Sequence, residues 1–212
     1  MALEARLIRS AAPLLDVRRT GVGRRRALAS GRALAREGAI GMLVIAGFGG
    51  GLERGARAGE IVVADELRGP GGERLECSAA SVLATGLQGA GIEPRRGVLV
   101  CSRRPVLGRA RTRLHDRHGA LAADMESIWL AREARAQQLA VVRVLADAPA
   151  AGVWRPWRGV EHALAARRAL IVLARALGDW ANARAQVGVG DALGLSASTR
   201  PSEGGGRVSS TN

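Results

Sequence analysis

Short apolar or β-branched runs alternate along this chain with Ala/Leu/Arg stretches whose apolar positions recur every three to four residues. The first pattern is that of buried strands and the second that of amphipathic helices. Their alternation predicts an α/β sheet domain. Strands are predicted over Ile40–Ala46, Glu60–Ala64, Gly97–Cys101, Ala120–Ala123 and Ala140–Ala146. Helices are predicted over Arg24–Glu37, Ser78–Ala90, Leu107–Arg117, Met125–Gln138 and Val160–Ala183. From Val187 the periodicity stops and the chain ends in a Ser/Gly-rich run with little to bury. Residues 1–185 therefore read as one domain and 186–212 as a disordered tail.

The 212 residues suffice for one sizeable core, which excludes a disulfide mini-protein and a wholly disordered chain. Charge is lopsided, +13 from 32 basic and 19 acidic residues, but every basic residue is Arg and Tyr and Lys are absent. That bias reads as a GC-rich coding composition more than as selection for a basic surface. The arginines come as scattered pairs and triplets with almost no aromatic residue to stack a base, which disfavours a nucleic-acid partner. Cys77 and Cys101 form no CxxC pair and His115, His118 and His162 no ligand constellation, so neither a metal nor another cofactor is expected. No apolar run reaches membrane-spanning length and no secretory leader is visible, so a cytoplasmic protein is expected.

The strand ending at Ala46 runs into Gly47-Phe48-Gly49-Gly50-Gly51-Leu52, and the next strand starts near Glu60. A dinucleotide-binding turn needs its glycines to open a helix, and there is no room for one here. The glycines read instead as a bare loop at a strand end. Either they form a tight turn needing positive φ, or their backbone N–H groups admit an anion or a sugar.

Acidic residues are scarce, so their positions carry information. Asp147 closes the run Val141-Val142-Arg143-Val144-Leu145-Ala146, placing a carboxylate at the carboxyl end of a buried strand, where open α/β sheets build ligand crevices. Asp124 and Glu126 hold the matching place one unit earlier. Each also has a local explanation: Asp124 as a helix N-cap, Glu126 as an acid in a first turn, Asp147 as a turn residue before Pro149. Together they aim acids at one rim.

Gly47–Leu52 followed by Gly59-Glu60-Ile61-Val62-Val63-Ala64-Asp65 resembles the G-x-A-G-G-L…G-D-I-V-x-x-D segment of the purine nucleoside phosphorylase and methylthioadenosine/adenosylhomocysteine nucleosidase superfamily. Asp124-Met125-Glu126 is similar to its D-M-E motif and Val142–Asp147 to its V-R-x-x-x-D, in the same order, over about Glu4 to Trp180. Arg19–Gly23, Cys101–Val106 and Ala122–Ser127 are most like the hopanoid-associated branch, whose members are associated with removing adenine from adenosylhopane. The resemblance implies a nucleoside phosphorylase-like three-layer α/β/α fold with a mixed central sheet. Only Met1–Leu3 precede Glu4, so its N-terminal strand is expected to be missing, either because the start codon is placed late or because the sheet lacks that strand.

The resemblance also implies a chemistry: cleavage of the adenine N-glycosidic bond of a 5′-substituted adenosine, through an oxocarbenium-like sugar. Asp147 would be the general acid, its pKa raised by burial. Glu126 would bind the ribose hydroxyls, Met125 pack on the sugar, and Phe48, Gly49 and Gly50 lie beside it. If phosphate is the co-substrate, Gly21, Gly23 and Arg24 would hold it. If water is the nucleophile, Glu4 resembles the nucleosidase glutamate that activates it. Arg103-Arg104 departs from the pattern, since many nucleosidases carry an acid there. A nucleosidase for methylthioadenosine or adenosylhomocysteine is the neighbouring reading, and a non-catalytic nucleoside- or nucleic-acid-binding module the distant one. A homo-oligomer is implied by the family, and Val153-Trp154-Arg155-Pro156-Trp157-Arg158 has a composition suited to peripheral membrane contact.

Overall fold

The computed structural model describes residues 2–11, 15–147 and 156–192, without the side chains of residues 2–4, 7, 11, 156–158 and 185–192. In chain order the elements are α1 (Ala2–Ala11), α2 (Arg24–Glu37), β1 (Met42–Gly51), β2 (Ile61–Arg68), β3 (Arg74–Glu76), α3 (Ala80–Gly89), β4 (Arg95–Cys101), α4 (Arg109–His118), β5 (Ala120–Asp124), α5 (Ser127–Ala134), β6 (Gln138–Asp147) and α6 (Pro156–Ala192).

The sheet is mixed and curls on itself. Strand β1 runs parallel to β6 from Met42 to Gly49 and meets β5 antiparallel at Gly50 and Gly51. Strand β4 lies parallel to both β2 and β5. Strand β2 returns antiparallel against β6 through Ile61–Ala64, closing the ring β2–β4–β5–β1–β6, while β3 extends the outer half of β2. Closure removes the free edges that an open sheet must protect. One stretch is left: among the described residues no strand pairs with β1 between Met42 and Gly49 on the side away from β6. A groove of about 500 Å³ runs there, lined by Ile8, Leu34, Met42, Val44, Leu177 and Trp180 among others.

The helices bury the stripes that their spacing predicts. In α3 the inward set is Ala80, Leu83, Ala84 and Leu87, and in α6 it is Ala166, Leu170, Leu173, Ala174 and Leu177. These spacings of three and four residues line one helical face against the sheet. Helix α4 ends at Gly119, whose left-handed backbone (φ 61°) lets its N–H bond the His115 carbonyl at 2.7 Å. Among the described residues no helix is long and apolar enough to cross a membrane.

Four expectations change. The glycines of 47–51 are not a loop: they continue β1 to Gly51, and none of them has a positive φ. Their missing side chains are used for close approach instead. The helix predicted to run to Gln138 ends at Ala134, and Gln138 starts β6. The last helix continues to Ala192, into the stretch read as tail; residues 193–212 lie outside the described residues. Glu4 sits within helix α1, an element that the sequence pattern was not read to contain, and its side chain is not described.

Candidate active site

Three strand ends meet where β1, β5 and β6 deliver Gly49–Gly50, Asp124 and Asp147. They border a cavity of about 240 Å³ that also takes in Phe48, Met125, Glu126, Ser102, Val106 and Arg111. Of the residues expected to form a site, Phe48, Gly49, Gly50, Met125, Glu126 and Asp147 all line this one cavity. Gly21, Gly23 and Arg24 do not, although Val22 between them does. Arg24 is exposed.

The glycines act as a thin floor. A Cβ on Gly49 would come within 3.2 Å of Arg143 Cβ and 3.2 Å of the Ala123 carbonyl oxygen. One on Gly50 would come within 3.3 Å of Asp147 Oδ1 and 3.6 Å of Arg111 Nη2. Two arginines thus cross β1 where it has no side chains.

Arg111, on α4, is the residue that sequence reasoning missed. Its Nη2 donates to Asp147 Oδ2 at 2.5 Å, its Nε donates to the Val106 carbonyl at 2.9 Å, and its side chain is only 8% exposed. Its one visible signal was position, one helical turn before the part-buried Leu114 and His115. Asp147 itself is 49% exposed and held in that ion pair. The burial from which its acidity was to be tuned is therefore not present; β6 ends on the rim of the cavity rather than beneath it.

Asp124 does not face the cavity as a free acid. Arg143 reaches it with Nη2 at 2.6 Å and Nε at 2.9 Å, and the Ser127 hydroxyl donates a short hydrogen bond to it. Asp124 Oδ1 also accepts the N–H groups of Glu126 and Ser127, both at 3.3 Å, but α5 starts at Ser127 with Glu126 in the cap position, so Asp124 stands two residues ahead of the N-cap it was expected to be. Burial works against its charge, but Arg143, Ser127 and the Cys101 thiol hold the carboxyl below its usual value.

Glu126 is the counterpart. Its Oε1 accepts the Gly23 N–H at 2.7 Å and its Oε2 the Met125 N–H at 3.3 Å. Burial raises its pKa and the Asp124 charge adds to this, opposed by the Gly23 N–H and by Arg143. The Gly23 amide, at the start of α2, is thus engaged by a carboxylate already fixed in the protein.

No family model matches the chain, and no curated protein matches it in sequence. Solved structures do. A 5′-methylthioadenosine/S-adenosylhomocysteine nucleosidase from Neisseria meningitidis, in complex with methylthio-immucillin-A, superposes with a TM-score of 0.67 at 16% identity, covering 84% of this chain and 96% of that one. The chain has the nucleosidase fold. The same fold is seen in the nucleosidase of Campylobacter jejuni (TM-score 0.65, 14% identity, 84% and 96% covered) and in a futalosine hydrolase mutant of Helicobacter pylori (0.67, 13%, 86% and 95%). In this nucleosidase fold the cavity floored by Gly49 and Gly50 lies at strand ends, as the placement of acids along the chain implied.

Proposed function

We propose that the chain cleaves the N-glycosidic bond of a purine nucleoside, releasing adenine from a 5′-substituted adenosine, with adenosylhopane as the substrate favoured by the sequence resemblance. The observation that carries this reading is that Asp147, Glu126, Met125 and the Gly49–Gly50 floor share one cavity. The nucleosidase fold supports it.

In this reading Asp147, reloaded with a proton from solvent at the half-exposed rim and against the pull of Arg111, passes it to the purine ring as the C–N bond breaks and the bonding pair leaves with the base. Arg111 then stabilises the carboxylate that remains. Glu126 accepts hydrogen bonds from the ribose hydroxyls, and Met125 packs on the sugar as positive charge develops there. Water attacks the anomeric carbon and loses a proton to solvent, giving the free 5′-substituted ribose, or phosphate attacks it, giving the corresponding 1-phosphate. If phosphate attacks, Gly21, Gly23 and Arg24 are the candidates at the α2 start, and the Gly23 amide must leave Glu126 to engage it. The side chain of Glu4, the candidate to activate water, lies outside the described residues.

Trp154 lies outside the described residues, and the side chain of Trp157 is likewise not described, so peripheral membrane contact stays with the sequence reading. Self-association belongs to the same proposal, with Val160, Leu164 and Val172 exposed on α6. A panel of 5′-substituted adenosines, assayed for adenine release with and without phosphate, tests the function. Release from an apolar 5′-derivative in preference to methylthioadenosine is the expected result. No release from any member would overturn the reading.

A further inference from the structure

Below the cavity lies a set of charged side chains for which the proposed reaction has no direct use. Arg143 is 5% exposed and Asp124 1% exposed at the side chain, and Ser127 is fully buried. Arg143 Nη2 donates both to Asp124 Oδ2 at 2.6 Å and to Ser127 Oγ at 2.7 Å, so three polar side chains satisfy one another. Gly49 leaves the space through which the Arg143 stem passes from β6 toward β5.

An ion pair this deep adds little net stability, since desolvating two charges consumes most of their attraction, although removing one partner alone is costly. Its geometry shows what it secures. Asp124 ends β5 and holds the N–H groups of Glu126 and Ser127, which open α5. Two residues along, Glu126 carries a second, partly buried carboxylate, and the Asp124 charge disfavours its ionisation while Arg143 favours it. Remove Arg143 and two carboxylates are left side by side in a low-dielectric setting, one of them buried and unpaired.

We infer that Arg143, through Asp124 and Ser127, is a positioning residue that fixes the Glu126 carboxylate for the sugar hydroxyls. The inference rests on the reading that Glu126 binds those hydroxyls. Arg143 is not among the residues that line the cavity; in this inference it sets where the α5 start lies and keeps the Glu126 carboxylate next to the Gly23 amide.

The test compares a 5′-deoxyadenosine with its 2′,3′-dideoxy counterpart, because loss of a hydroxyl-binding carboxylate is felt only by the substrate that has the hydroxyls. In Arg143→Met the ratio of kcat/KM between the two substrates should fall at least tenfold from the wild-type ratio. Arg143→Lys should recover part of it, and Ser127→Ala, which removes only the hydroxyl of the triad, should lower it several-fold. A merely structural role lowers both substrates together and leaves the ratio unchanged. Should Arg143→Met not fold by circular dichroism, Arg143→Lys and Ser127→Ala carry the test. A wild-type ratio in the folded variants overturns the positioning role while the nucleosidase reading stands. If the wild-type protein releases base from neither substrate, the reading itself fails and this inference with it.

Discussion

Gly49 of β1 lies directly beneath the side chain of Arg143 from β6, so close that a single added methyl group would sit 3.2 Å from Arg143 Cβ and 3.2 Å from the Ala123 carbonyl oxygen. The first neighbour is a stem locked in an ion pair and the second is backbone, so neither yields cheaply. Gly49→Ala is expected to cost about 1–3 kcal/mol of stability, the range for overpacking a tight interior. Urea unfolding measures it; a midpoint within error of wild type would show that the floor can give.

Asp147→Asn should lower adenine release on the order of 10² to 10⁴-fold, the range for a positioned general acid. The amide oxygen still accepts from Arg111, so thermal stability should change little. Turnover like that of wild type would remove the proton-donor role.

Glu126 offers a pH signature. Its folded pKa is raised by burial, so the folded state favours the protonated carboxyl. That contribution is fully present below the unfolded value, roughly 4.3, and is lost as pH rises through the folded value. Glu126→Gln, which keeps an acceptor for the Gly23 amide, should therefore melt above wild type at about pH 7.5, with the difference vanishing by about pH 4. A Gln variant less stable at the higher pH would contradict the sign.

Glu66 behaves oppositely. Hydrogen bonds from Arg74 and Arg68 draw its carboxyl down from 4.5 to about 2. A depressed folded pKa gives stability that is present above the unfolded value and lost as pH falls through the folded one. Glu66→Gln should be less stable than wild type near neutrality, and the gap should close between about pH 4.5 and about pH 2. Melting temperatures across that window read it directly; a constant gap would mean that the arginines do not discriminate the charge.

The legible parts of this protein were those written in local patterns. The span of α2 is the one predicted, Arg24–Glu37, because its apolar spacing and the flanking glycines mark both ends. The five longer strands appear where apolar or β-branched runs stand, each running past at least one of its predicted ends. Strand β3, three residues long and carrying two charges, left no apolar signal, and the helical α1 was hidden in an Ala/Leu/Arg stretch read only for its glutamate. The glycine run misled because glycine signals absence: composition alone cannot say whether the missing side chain serves a turn or a neighbour.

By itself, then, the sequence determined the alternation of strands and helices, the strand-end positions of Asp124, Glu126 and Asp147, and the segment likenesses from which a nucleosidase was expected. Only the tertiary structure decided that Asp124 is consumed by Arg143, that Asp147 is half exposed and clasped by Arg111, and that the glycines floor a cavity instead of turning the chain. The reason is physical. Hydrophobic period is a property of neighbours in sequence, whereas charge pairing and clearance depend on which strands curl against each other, and the partners of Asp147 and Asp124 stand 36 and 19 residues away along the chain.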